Sequence, residues 1–281
     1  MSFRSPTTYA IVNGIGSETA STVGSGTSST EIGPDAVASG TNAIAIGTSP
    51  DATTTSSIAI GTTAQATVGT AATAIGLSAA ALGDNSIAIG NGPDAATSDS
   101  IAIGRDAQAS GLANSIAIGN QAQSTGDQSI VLGTSSRAQG TSSVAIGAGV
   151  NSTVVAGNSS VTIGPAARGE GISSVSIGVG AQGQALRAIV IGNLANTTPL
   201  GDEGIAIGFG AQVTGANGIA LGSSATAAAN ELAIGSAANF ITTSAVVGAF
   251  GAAAPLPALP LGYLVVNLNS TLVKLPFYSN V

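Results

Sequence analysis

Residues Ser57–Ala66 read S-I-A-I-G-T-T-A-Q-A, Ser100–Ala109 read S-I-A-I-G-R-D-A-Q-A, and Ser115–Ser124 read S-I-A-I-G-N-Q-A-Q-S. This phrase decides the fold because it returns along the chain. Its glycine falls at Gly33, Gly47, Gly61, Gly76, Gly90, Gly104, Gly119, Gly133, Gly147, Gly164, Gly178, Gly192, Gly208, Gly222 and Gly235, 13 to 17 residues apart and most often 14. A fixed short period is the mark of a stacked repeat architecture. The apolar β-branched residues sit two apart, as in Ile58/Ile60 and Ile101/Ile103, which is a strand signal. A weaker second strand follows at Ala64/Ala66 and Ala107/Ala109, with small residues turned inward. Two short strands in about 14 residues leave no room for a helix. The pattern therefore predicts an all-β, parallel β-solenoid of about 14 residues per coil, with backbone hydrogen bonds along its axis and a body of roughly 65–70 Å. Left-handed hexapeptide helices need roughly 18 residues per coil, and the G-G-x-G-x-D signature of calcium-binding rolls is absent.

The spacing places the paired isoleucines in the core, and the residue between them on the other face. That second column is Ala45, Ala59, Ala74, Ala88, Ala102, Ala117, Ala145, Ala206, Ala220 and Ala233, with Val131, Thr162, Ser176 and Val190 at the remaining coils. Exposed along a rod, it would be a continuous apolar stripe. The expectation is that it packs against copies of itself, and that a parallel ring leaves no stripe uncovered.

The unit x-[VI]-A-I-G-x-x-A-x-A, seen in the three stretches quoted above, closely resembles the head repeats of YadA-like trimeric autotransporter adhesins, over about residues 31–239. The resemblance implies a left-handed parallel β-roll, a homotrimer, and collagen or cell-surface adhesion as the usual role.

The flanks read differently. Residues 1–30 are irregular and rich in Gly, Ser and Thr, and are expected to be an attachment segment. Met1–Val12 has no apolar stretch of the kind a secretory signal carries. An Ala/Pro-rich linker spans 240–261; Pro255, Pro257 and Pro260 exclude a membrane helix there. No heptad stalk and no membrane barrel anchor are read. Residues 262–281 alternate apolar positions on both sides of Asn269-Ser270, which predicts a β-hairpin with a two-residue turn. This segment, most closely at Leu272–Tyr278, resembles the short ending of many tailed-phage structural proteins. Its aromatics Tyr263, Phe277 and Tyr278 are the candidate terminal interface.

Composition narrows the functions. Of 281 residues 40 are Gly, only 7% are charged and 3% aromatic, and there is no Trp. A thin fold with small residues inside suits this better than a globular core. The net charge is −7 and the six basic residues are scattered, so nucleic-acid binding is not expected. With no His and no Cys, triad catalysis and thiolate or imidazole metal sites are excluded. The acid pairs Asp94/Asp99 and Asp202/Glu203 read as solvated turn residues, and Gly178–Gly183 (G-V-G-A-Q-G) as a chance phosphate-loop lookalike. No enzymatic activity, cofactor, metal or membrane insertion is expected.

The longer coils, 147–164 and 192–208, should bulge as loops. Their candidate contact residues are Asn151, Asn158, Asn196, Asp202 and Glu203, in the segments Val150–Asn158 and Asn196–Glu203. Two functions compete. One is a structural appendage of a tailed-phage virion, fibre, spike or capsid decoration, assembled in the host cytoplasm, with itself, other virion proteins and a host receptor or glycan as partners. The other is the adhesive head of a bacterial trimeric autotransporter on the cell surface. An ice-binding solenoid would want an outward Thr row, and the middle column holds Ala.

Overall fold

The structure, a computed structural model, describes residues 25–152 and 159–235 and the strands Gly262–Leu268 and Thr271–Phe277. The chain divides into two units, Met1–Ala237 and Ala238–Val281.

The first unit is a parallel β-solenoid. Each coil contributes one strand of three residues and one of two. The three-residue strands, from Thr30–Ile32 to Leu232–Ile234, stack as a 15-stranded sheet, called here the long-strand sheet. The two-residue strands, from Val37–Ala38 to Thr226–Ala227, stack as a 14-stranded short-strand sheet. Like pairs with like: Ile101, Ala102 and Ile103 align with Ile87, Ala88 and Ile89 below and with Ile116, Ala117 and Ile118 above. The Ile101 N–H donates to the Ser115 carbonyl at 2.9 Å, and the Gly104 N–H to the Ile89 carbonyl at 2.8 Å. Such bonds run from coil to coil, so each coil's backbone is satisfied only by its neighbours.

The connectors keep the coils in step. Ser56 (φ 57°) and Asn42 (φ 58°) hold left-handed conformations in equivalent turns, and the Ser56 N–H donates to the Thr41 carbonyl at 2.8 Å. Asn, Asp and Ser recur at such positions because their short polar side chains tolerate positive φ.

The interior differs from expectation in one decisive respect. The middle residue of each long strand, not its flanking isoleucines, points inward: Ala45, Ala59, Ala74, Ala88, Ala102, Ala117, Ala145, Ala206 and Ala220 are fully buried within their own chain, and Ala233 is partly buried. The isoleucines on either side are half-buried or exposed. The reason is volume. The largest side chains fully buried in the solenoid are valines, so the space between the sheets takes Ala and Ser and has no room for rows of isoleucine. Spacing by two tells which residues share a face, but not which face is the inner one. The Ala column is therefore core and is not available to a partner. The second-strand reading holds: Ala64, Ala66, Ala107 and Ala109 are fully buried.

Serines complete the core. Ser57, Ser100, Ser129 and Ser143 are fully buried just before the long strand. The Ser57 hydroxyl donates to the Thr54 carbonyl at 2.7 Å, Ser129 to Gly126 at 2.7 Å, and Ser143 to Gly140 at 2.6 Å. Each hydroxyl satisfies a turn carbonyl three residues back, which allows a polar residue inside the coil.

In the second unit, Gly262–Leu268 and Thr271–Phe277 pair antiparallel, with Leu268 opposite Thr271. The expected hairpin is present. The attachment segment up to residue 24, the last residues 236–239 of the repeat region, the linker 240–261, Asn158 and Tyr278 lie outside the described residues, as do the side chains of Tyr263 and Phe277.

Candidate interaction surfaces

Turning alanine inward turns the isoleucines outward. Two parallel columns of Ile, Val and Leu cover the outer face of the long-strand sheet, one through Ile87, Ile101 and Ile116, the other through Ile89, Ile103 and Ile118. Thr73 is the one polar residue in these columns from the Ile44–Ile46 strand to the Leu232–Ile234 strand. Fifteen strands at about 4.8 Å give a stripe roughly 67 Å long and about 10 Å wide, on the order of 700 Å². That exceeds the largest apolar patch of a typical monomer. No charge interrupts it.

The outer face of the short-strand sheet has the opposite character. Its outward column reads Asp51, Gln65, Ala80, Asp94, Gln108, Gln123, Arg137, Asn151, Arg168, Gln182, Asn196, Gln212 and Thr226 after an initial Val37. Asp106, Gln108, Gln121, Gln123, Ser135 and Arg137 line a shallow polar groove on it. Burial pushes the Asp51 and Asp94 carboxyls above their ordinary range. Asp84, on a turn, is held below it by the backbone N–H and the hydroxyl of Thr70, at 2.7 and 3.0 Å.

The other sequence-derived candidates are dispersed. Asn151 and Asn196 are strand residues of the polar column and do not lie on a loop. Asp202 and Glu203 do lie on a turn. There the Asp202 carboxylate accepts the Leu186 N–H at 3.0 Å, and Glu203 pairs with Arg187 of the coil before. Asp94 is in a strand of the polar column, whereas Asp99 sits in a connector with φ 56°. Arg105–Asp106 and Arg168–Glu170 approach to 3.9 Å in solvent, where such pairs contribute little. Gly178 ends a long strand and Gly183 lies in a short one, so the glycine-rich stretch is part of the coil. Among the described residues no group of three or more acidic side chains is placed to hold a metal ion.

What the sequence reading missed was the identity of the sticky face, although its residues were in view. The signal was present in size: a coil of 14 residues has too small a cross-section for a double row of isoleucine.

The molecule is thus a β-solenoid with one apolar and one polar sheet face. The family model for the YadA head domain repeat matches it at residues 25–49, 68–92, 98–122, 113–136, 124–149 and 200–230, together just under half of the chain. No curated protein matches the chain.

Proposed function

We propose that the chain is a non-enzymatic adhesive head, displayed on a surface as a parallel homotrimer. Three solenoids close around their isoleucine faces and turn their polar faces to solvent and ligand. The observation that carries this is the asymmetry of the two sheets: an uncharged, almost wholly apolar stripe on one, a ladder of Gln, Asn, Asp and Arg on the other. Burial of the stripe is the main driving force for association, at about 25 cal/mol per Å² of apolar surface. The matched adhesin-head repeats support the adhesive role. The ligand-binding face is the polar ladder, where amide and guanidinium groups repeat at about the 4.8 Å coil spacing and suit an extended, hydrogen-bonding partner such as a glycan or a peptide chain.

Sedimentation of the full chain tests the assembly. Three copies are expected, and Ile103→Glu combined with Ile118→Glu should yield single, folded copies. A wild-type chain that sediments as one copy at micromolar concentration rejects the reading. Cell or matrix attachment by the trimer, reduced by Gln123→Ala with Arg137→Ala, tests the role.

A second reading, a structural appendage of a phage particle, rests only on the resemblance of Leu272–Tyr278 to phage structural endings, and the antiparallel pairing of Gly262–Leu268 with Thr271–Phe277 is compatible with it. Labelling the chain on intact cells and on released particles separates the two.

A further inference from the structure

The two connectors of each coil behave differently. From long strand to short strand the link is four residues throughout, as in 47–50, 61–64 and 104–107. From short strand to the next long strand it is usually five, as in 53–57, but it lengthens at 67–72, 110–115, 153–160 and 198–204. The described added residues therefore lie on one edge of the solenoid. The lengthened links also fall at every third coil, the coils ending at Gly76, Gly119, Gly164 and Gly208. The true repeat is three coils: 34–76, 77–119, 120–164 and 165–208.

Each described insert presents a large apolar side chain to solvent. Val68 is 70% exposed, Leu112 84% and Leu200 76%, more than any other large apolar residue among the described ones. An isolated rod gains nothing from such knobs. A row of them at a pitch of about 14 Å fits a partner with the same axial period, and a second copy of this chain has it.

The opposite edge supplies the counterpart. Along the path of the chain, an insert lies half a coil, about 2.4 Å, above one four-residue link and below the next. Val68 is level in this sense with Leu77, and Leu200 with Leu194 and Phe209, all exposed apolar residues on the opposite edge. In a closed parallel ring each chain's insert edge abuts its neighbour's opposite edge at equal height.

We propose that the lengthened turns are clasps between neighbouring chains: Val68 and Leu200 of one copy pack on Leu77 and on Leu194 and Phe209 of the next. This rests on the ring reading above. Leu112 is level instead with Arg105 and Asn120, joined by a hydrogen bond of 3.4 Å, and contributes less.

The chain has no cysteine, so paired cysteines report contacts cleanly. The full chain carrying Val68→Cys with Leu77→Cys, or Leu200→Cys with Phe209→Cys, should on oxidation give disulfide-linked species that stop at three chains. Within one chain each pair lies on opposite edges with the long-strand sheet between them, beyond disulfide reach. In addition, Val68→Ser with Leu200→Ser should raise the trimer's dissociation at least 10-fold, and Leu112→Ser clearly less. A trimer by sedimentation that cross-links at neither pair overturns the clasp and leaves the ring standing. Single copies overturn the ring, and the clasp with it. Linked ladders running beyond three chains overturn both.

Discussion

Thr162 and Gly169 face each other across the interior of one coil: a Cβ placed on Gly169 would lie 2.0 Å from the Thr162 Oγ1. The usual occupants of these two positions are both alanine, as at Ala102 and Ala109, fully buried. In this coil the long strand carries a larger residue and the short strand gives up its side chain. Ser176 repeats this with Gly183, whose added Cβ would meet the Ser176 Oγ at 2.3 Å. Val213 is accommodated by Gly204 and Gly218, at positions where most coils hold a buried serine. The compensation is local and not a fixed volume per coil, because Val190 and Thr197, at the same two positions of a later coil, are both fully buried.

A double-mutant cycle checks this. Gly169→Ala alone should cost about 1–3 kcal/mol by overpacking. In a Thr162→Ala background the same change should be near neutral, a coupling of at least about 1 kcal/mol. Urea denaturation of the four proteins measures it, and additive effects would refute the pairing.

The strand-ending glycines and the turn glycines should respond differently to the same change. Gly76 has φ +131°, and a Cβ there would sit 1.7 Å from the Gly90 carbonyl oxygen. Gly149 has φ +62° with nothing within 4 Å of an added Cβ. Gly76→Ala should cost more than about 3 kcal/mol or prevent stacking of that coil, because the obstacle is backbone of the next coil. Gly149→Ala carries only the left-handed cost of about 1 kcal/mol. Thermal melts followed by circular dichroism distinguish them.

The inversion of the two columns has its own test. Ala102→Ile forces a large side chain into a coil whose largest fully buried residues are valines, and should lower the melting temperature sharply through overpacking. Ile103→Thr changes a half-buried outer position in a residue with good strand propensity. It should leave the fold of a single chain within about 0.5 kcal/mol while weakening association. The reverse ranking would restore isoleucine to the core.

The fold was legible because its determinants are one-dimensional. Glycine at a 14-residue period, β-branched residues two apart and a second small-residue strand fix a stacked coil without long-range information, and the hairpin around Asn269-Ser270 was readable from alternation. The orientation of Ile101–Ala102–Ile103 was not, since alternation is symmetric between faces and only the cross-section decides. The placement of Asn151 and Asn196 failed for a related reason. Both belong to longer coils, but the added residues lie after the short strand, at 153–160 and 198–204, and leave the two asparagines in regular strand positions.

The carboxylates predict opposite pH responses. Burial raises Asp51 and Asp94 above their ordinary 3.8, so the folded chain holds their protons more tightly than the unfolded chain does. Stability attributable to them falls as pH rises from about that value through the raised folded one, and their charged forms are a penalty at neutral pH. Asp51→Asn with Asp94→Asn should therefore raise the melting temperature at pH 7, with the gain vanishing in acid. Asp84 has the reverse sign. Its hydrogen bonds from Thr70 lower its pKa, so its contribution is present above the unfolded carboxylate range and is lost as pH falls through the folded value. Asp84→Asn should lower the melting temperature at pH 7 and make no difference at low pH. Melts of the three proteins from acid to neutral pH should show the two variants diverging from the wild type in opposite directions as pH rises and meeting it in acid, and parallel curves would reject both assignments.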